Sequence, residues 1–468
     1  MDMNAARTQQ ADTPGLHPAT GHIDRSSALG AQIRSIVGGS IGNLIEWYDW
    51  LVYSAFSLYF AKAFFPSDSQ TAQLLNTAAV FAVGYLMRPL GAWLIGRYAD
   101  RRGRKAALTL SVLMMCAGSL VIALTPAYAS IGVAAPALLI FARLLQGLSV
   151  GGEYGTSATY LTEMAPTRWR GFYASFHEVT LLGGQLIAVI VLVLLQQLLL
   201  TPAELDAWGW RIPFFLGAGF AVVAFYLRRG LAETHAFDAK RGDQPKENLL
   251  KVLARHPRAI ATVAGLTLGG TVAVYTYTVY MQKFLVNTGG ISRSASSLIS
   301  GATLIFFMVL QPIVGALSDR IGRRPVLIGF GILGTVSTVP IMTAISHTHD
   351  AWTALALILV GLVIVSGYTA VNAATKAELF PTEIRALGVN LPYALTVAIF
   401  GGTTEYVGLW FKQSGQESGF YWYVSGCILV SLIVYLFMPE TRSRNIERIE
   451  PEVAASGAGA SRSDIDHG

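Results

Sequence analysis

Uncharged apolar stretches longer than 18 residues recur along this chain, and they leave few folds open to it. A run of about 20 apolar residues spans the hydrocarbon of a bilayer as a helix, because a helix satisfies its own backbone hydrogen bonds where water is absent. Only 13% of the 468 residues are charged and 53% are hydrophobic. A soluble two-domain enzyme of this length would carry about a quarter of its residues as charges spread over its surface. The chain therefore reads as an all-α, polytopic membrane protein.

A window of about 20 residues places spans near 33–60, 72–96, 106–126, 133–162, 171–199 and 211–229, and a second set near 258–282, 295–317, 325–346, 352–378, 386–411 and 419–438. Between the sets, residues 230–257 form the longest polar stretch inside the membrane region and read as a cytoplasmic linker. Residues 1–32 and 439–468 are polar or small and read as cytoplasmic tails; the first lacks the apolar centre of a secretory signal. The domain limits expected are thus 33–229 and 258–438 for two six-helix bundles.

Charge gives the orientation. The net charge of +6 could suggest nucleic acid, but the basic residues gather in short blocks beside apolar spans, as topology requires. "RYADRRGRK", "TRWR", the linker, "DRIGRR" and "TRSRNIER" fall on one side if the spans alternate, which puts both termini in the cytoplasm. The two cysteines, Cys116 and Cys427, sit far apart in apolar segments, so neither a disulfide framework nor a thiol metal site is indicated. No HExxH or CxxC pattern suggests an enzyme, and the two Gly-x-Ser-x-Gly matches, "GGSIG" (38–42) and "GLSVG" (147–151), fall inside apolar spans rather than at a strand-to-helix turn.

The halves repeat each other. "GRYADRRGRKAAL" (96–108) matches "GALSDRIGRRPVL" (315–327), and "EMAPTRWRG" (163–171) matches "ELFPTEIRA" (378–386), in the same order in both halves. Internal duplication of this kind is the architecture of alternating-access transporters, with the binding site between the halves.

The loop "GRYADRRGRK" and the stretch "RLLQG" (143–147) resemble signatures of the major facilitator superfamily. "GNLIEWYDWLVY", "MRPLGAWLIGR", "QGLSVGGEYGTSATYL", "GWRIPFFLGA" and "ELFPTEIRALG" are similar, more narrowly, to the metabolite:proton symporter family. The resemblance covers roughly residues 33–438. It implies twelve transmembrane helices in two pseudo-symmetric six-helix bundles. It also implies inward co-transport of alpha-ketoglutarate (2-oxoglutarate), or a related small di- or tricarboxylate, with protons across a bacterial inner membrane. No cofactor is implied, and a monomer is expected. The same fold could carry citrate, shikimate, or a zwitterionic osmolyte such as proline or betaine; the short Gly- and Ala-rich tail without heptads speaks against an osmosensor. A drug exporter would want a mostly apolar cavity, which an inward-facing Arg88 opposes.

An ionised side chain at mid-bilayer costs about 2.5 to 3.5 kcal/mol on insertion scales, so each needs a partner or a task. Arg88, two-thirds through the second span, can grip a carboxylate bidentately and keep its charge at any pH; the alternative is a permanent pair with Glu46 or Asp49. Arg211 could hold a second carboxylate or snorkel between Trp208 and Trp210. Lys376 and Lys283, near opposite ends of their spans, invite the same choice. Glu46 and Asp49 are spaced i, i+3 on one helix face, with Tyr53 a turn on; they and Glu153, set among glycines in "GGEYG", are the candidates for proton coupling. His177, beside Glu178, reads as a polar helix-face residue more readily than as a relay. Tyr53, Gln185, Tyr275, Tyr277, Asn372, Asn390 and Tyr393 are neutral polar groups expected near mid-depth, able to bond a keto or carboxylate oxygen or to bridge helices. The superfamily resemblance implies gating roles for Asp100 and Asp319 with Arg104, Arg143 and Arg323.

Overall fold

A computed structural model describes residues 25–102, 104–150, 165, 167–229, 257–380 and 385–442. The chain divides into two compact units, Met1–Gly39 and Ser40–Gly468, and the second carries the architecture below.

Helices account for nearly all described residues. In order they are α1 (Arg25–Phe64), α2 (Gln70–Leu86), α3 (Arg88–Arg102), α4 (Arg104–Leu124), α5 (Ala134–Val150), α6 (Arg170–Leu194) and α7 (Ile212–Arg229). The second half adds α8 (Pro257–Tyr275), α9 (Met281–Asn287), α10 (Arg293–Ile321), α11 (Arg323–His347), α12 (Ala351–Glu378), α13 (Arg385–Thr396), α14 (Thr404–Gln413) and α15 (Glu417–Phe437). Three pairs, α2 with α3, α8 with α9 and α13 with α14, are broken single passes, so the helices make twelve crossings in two sets of six. Among the described residues, seven helices are long and apolar enough to cross a membrane by length and composition, and three further apolar helices are shorter.

The breaks have local causes. Met87 separates α2 from α3 just before Pro89, whose ring lacks an N–H and crowds the preceding turn. Single turns of π-helix, Thr276–Tyr280 and Val397–Gly401, interrupt the seventh and eleventh passes. A third, Leu195–Leu199, ends the fifth. The sequence windows gave these passes as uninterrupted, because a break of one turn leaves hydropathy unchanged.

The most extensive helix pairing joins the halves, α6 against α10. Glycine permits it: a Cβ on Gly171 would fall 2.7 Å from the Gly315 carbonyl oxygen. Within each half, α4 packs on α5 and α7, and α15 packs on α8 and α11.

The two ends of the molecule are capped differently. At the end with few charges, caps are local: Ser69 accepts from the Ala72 N–H, Ser292 from Ala295 and Asp350 from Thr353, and Thr201 with Glu204 forms a capping box. At the basic-loop end the acids come from far along the chain. Asp319 accepts from the backbone N–H groups of Gly171 and Phe172 at the start of α6, each at 2.8 Å. Glu440 does the same for α11, taking Arg323 N–H at 2.9 Å and Arg324 N–H at 3.0 Å.

Candidate functional site

Helix α1 organises the site because almost every residue from Ile45 to Ala61 is buried. Trp47, Leu51 and Ser54 lie at i, i+4 and i+7, one stripe, and this stripe faces the second half. Trp47 and Leu51 line a cavity between the halves that holds about 530 Å³ of empty space, mouth included. Its polar wall is Glu178 and Gln185 from α6, Tyr275 and Thr278 from the seventh pass, Asn372 from α12 and Tyr393 from α13. Gln185 crosses the interface to donate to the Thr278 carbonyl at 2.7 Å.

Two buried cations flank this cavity. Arg88, 6% exposed, has its guanidinium carbon 4.0 Å from the Tyr85 ring, 4.2 Å from Trp50 and 5.0 Å from Trp47. Its Nε and Nη2 have no hydrogen-bond acceptor. Tyr85 is in turn bonded to the Tyr275 hydroxyl at 2.5 Å, so one aromatic layer separates Arg88 from the cavity wall. Of the two carboxylates expected as alternatives, Asp49 bonds Ser119 and Gln146 instead; aromatic faces hold this cation, a cation–π arrangement that stays strong away from water.

Lys376, fully buried, adjoins the cavity through three of its lining residues. Its Nζ lies 3.1 Å from Asn372 Oδ1, 3.5 Å from the Tyr368 hydroxyl and 4.1 Å from the centre of the Tyr393 ring. Glu178 interacts with both Lys376 and Asn372. Snorkelling, the alternative for Lys376, is therefore corrected: the helix turns it inward, where its contacts at i−4 and i−8 lie on the same face. His177 is buried beside this cluster.

Asp49 points elsewhere. It sits two residues from Trp47, about 200° around the helix, and so faces the interior of the first bundle. There it accepts from Ser119 Oγ and from Gln146 Nε2 at 2.8 Å, and Gln146 Oε1 takes Arg143 Nη1 at 2.8 Å. Arg143 is wholly buried against Trp50 at 4.0 Å and Tyr53 at 4.5 Å, with Nε and Nη2 left without acceptors. Trp50 thus touches both Arg88 and Arg143. Glu46 is buried as well.

The structure separates several residues that the sequence grouped. Tyr53 donates to the Thr77 carbonyl at 3.0 Å inside the first half. Tyr277 packs on Gly361, away from the cavity lining. Arg211 caps the end of α4 through the Thr125 carbonyl at 3.0 Å and stacks on Trp210. Asn390 is half-buried in α13. Glu153 lies outside the described residues, as do the side chains of Asp100 and Arg104.

The basic-loop end is closed by a cluster across the halves. Asp319 binds Arg323 Nη1 at 2.8 Å while capping α6, and Glu378 lies 3.5 Å from Arg323 and 3.7 Å from Arg170. Thr441 donates to Glu378 at 2.6 Å. Glu378 was not singled out from the sequence, although it opens the repeated "E..PT..R" stretch. Lys283, left by the sequence between holding a carboxylate and snorkelling, is buried and paired with Glu405 at 3.0 Å. Glu405 was also missed, its partner being 122 residues away. Among the described residues no cluster of His, Cys, Asp and Glu could hold a metal ion.

Twelve helical crossings around a polar, cation-flanked cavity, with both ends bonded across the halves, define a multi-pass membrane transporter. The sugar (and other) transporter family matches residues 36–252 and again 239–453, and the chain belongs to that family and to the major facilitator superfamily. It is 52% identical over 413 residues to the alpha-ketoglutarate permease of Escherichia coli (strain K12), covering 88% of this chain and 95% of that one. It is 35% identical over 420 residues to the citrate-proton symporter of Salmonella typhi, covering 89% and 94%. The proline/betaine transporter of Escherichia coli (strain K12) is 32% identical over 438 residues, covering 89% and 85%. In fold the chain is similar to the proton:xylose symporter XylE bound to 6-bromo-6-deoxy-D-glucose, with TM-score 0.71, 19% identity, and 89% and 98% of the two chains covered.

Proposed function

We propose that this protein is a proton-coupled symporter that imports 2-oxoglutarate, or a closely related small di- or tricarboxylate, by alternating access. The observation that carries the reading is identity of 52% to an alpha-ketoglutarate permease along nearly the whole chain. The site is chemically suited to it: a dianion needs two cations, and Arg88, against Trp47, and Lys376, against Asn372 and Tyr393, both lie behind residues that line one cavity. Gln185, Tyr275, Asn372 and Tyr393 supply hydrogen bonds to the keto and carboxylate oxygens, while Arg211, Tyr53 and Tyr277 position helices around them.

Proton uptake falls to Glu46, Asp49 and Glu153, with Asp49 held by Ser119 and Gln146 beside Arg143. Asp319 and Arg323, with Asp100 and Arg104 as their counterparts by repeat, gate the basic-loop end. That end is cytoplasmic by the positive-inside rule, both termini lie there, and the membrane is a bacterial inner membrane. The bundles are 33–229 and 258–438, joined by 230–257. The protein works as a monomer, without cofactor, as a transporter and not an enzyme.

The test is uptake of radiolabelled 2-oxoglutarate into proteoliposomes with and without an inward proton gradient, with citrate, shikimate, proline and betaine as competitors. Gradient-dependent uptake, competed weakly by the other solutes, is expected. No uptake of 2-oxoglutarate at any gradient overturns the substrate, and equal uptake without a gradient overturns the coupling. The 35% identity to a citrate-proton symporter makes citrate the second solute to measure directly.

A further inference from the structure

At the end with few charges, Lys283 in α9 and Glu405 in α14 form an ion pair that the binding cavity does not use. Lys283 is wholly buried and Glu405 is 3% exposed. Both belong to the second half, yet the third member of the cluster comes from the first: Ser54 of α1 donates to Glu405 Oε2 at 3.0 Å and accepts from Lys283 Nζ. Lys283 also donates to the Val279 carbonyl at 3.3 Å.

The helices that carry the pair are broken in the same way. A π turn, Thr276–Tyr280, ends shortly before Lys283, and another, Val397–Gly401, ends shortly before Glu405. A π turn shifts the hydrogen-bond ladder by one residue, and such turns mark places where helices bend and where functional residues sit. The start of α14 also rests on the site. A Cβ on Gly402 would come within 2.3 Å of Tyr85, the residue that stacks on Arg88 and bonds Tyr275.

A pair serving only to join α9 to α14 would need no partner on α1. Its placement across the interface means that α1 must part from it whenever this end opens. We infer that Lys283 and Glu405 are positioning residues that tie α9 and α14 into one gate leaf, hinged at the two π turns, which closes on Ser54 above the cavity. Breaking the pair leaves one buried charge uncompensated, and opening the leaf hydrates that charge. Loss of either partner therefore favours the open form. The inference depends on the alternating-access cycle and not on the identity of the solute.

Pulsed electron paramagnetic resonance tests it in the full-length protein with Cys116 and Cys427 replaced by alanine. Nitroxides are placed through Ser67→Cys and Ser414→Cys, both exposed positions at this end on opposite halves. Glu405→Gln and Lys283→Met are expected to enlarge the long-distance population about tenfold, and Lys283→Glu combined with Glu405→Lys to restore the short one. In the same single variants, energised accumulation falls about tenfold while solute exchange stays within about twofold, a split that mere destabilisation would not give. Ser54→Ala, which leaves the ion pair in place, is expected to lengthen the distance in part. Wild-type distances in Ser54→Ala and in both single variants overturn the inference; if the single variants do not fold, Ser54→Ala alone decides it.

Discussion

Arg88 is held by three aromatic rings, and this distinguishes a waiting cation from a paired one. Two of its nitrogens lack acceptors, and each buried N–H left unmet costs about 1 to 3 kcal/mol. A carboxylate that reaches the guanidinium past Tyr85 would recover that. Arg88→Lys keeps the charge but loses the planar fork and the stacking, so affinity for 2-oxoglutarate should fall at least about tenfold, and Arg88→Gln should lose more. Binding measured by isothermal calorimetry on folded protein checks this, and unchanged affinity in both variants would make Arg88 a structural residue. Asp49→Asn should abolish gradient-driven accumulation while leaving solute exchange within about threefold, since the amide still bonds Ser119; normal accumulation would move the coupling elsewhere. The spacing of Glu46 and Asp49 was legible in "EWYDW", but their surroundings were not. Trp47 and Trp50, next to them in sequence, both stack on Arg88, and Trp50 also stacks on Arg143. Gln146, which bonds Asp49, lies 97 residues away in "RLLQG", a stretch whose likeness says nothing of that bond.

The contrast between helix caps explains how the elements can move. Ser69, Ser292, Asp350 and the Thr201–Glu204 box serve their own helices, so that end separates without uncovering helix termini. At the basic-loop end a helix start in one half is capped by an acid from the other, and opening must expose the Gly171 and Phe172 amides. Asp319→Asn weakens those two charge-assisted bonds, each worth about 1.5 to 3 kcal/mol. Hydrogen exchange at these two amides should quicken about tenfold or more, while exchange at the centre of α6 stays unchanged. An unaltered rate at both would show that the cap does not hold the end closed. Glu440 makes the second cap pH-sensitive. Burial pushes its carboxyl up, but the N–H groups of Arg442, Arg323, Arg324 and Thr441 together hold it below the usual range. Its contribution is therefore complete above the ordinary glutamate value and is lost as pH falls through the lower folded value. Exchange in the first turn of α11 should rise below about pH 4, and Glu440→Gln should remove that pH dependence. Repeats in the sequence exposed Asp319 and Arg323, whereas Glu440 and the π turns had no signature, since a cap from more than a hundred residues away and a one-residue slip in a helix leave composition and periodicity intact.

For the whole molecule, the duplicated halves and twelve crossings were written in hydropathy and in the two repeated loops, because lipid permits so few arrangements of long apolar runs. The closure of both ends across the halves was not, since it depends on pairs such as Ser54 with Glu405, 351 residues apart. The same global view yields a charge argument. Moving a dianion into a negatively charged compartment opposes about 2.3 kcal/mol per charge per 100 mV. One co-transported proton leaves a net negative charge moving inward, two make the step neutral, and three make it inwardly positive. Glu46, Asp49 and Glu153 supply up to three sites, so an inside-negative potential should not slow uptake. Imposing about 100 mV, inside negative, on proteoliposomes with potassium and valinomycin should leave the initial rate unchanged or raise it severalfold. A fall of several-fold would mean that fewer than two protons accompany each dianion, and would confine the coupling to one carboxylate. Asp49→Asn in the same vesicles then separates the cases: if Asp49 carries one of two protons, the variant's exchange should become slower when the inside is made negative, while the parent's is indifferent.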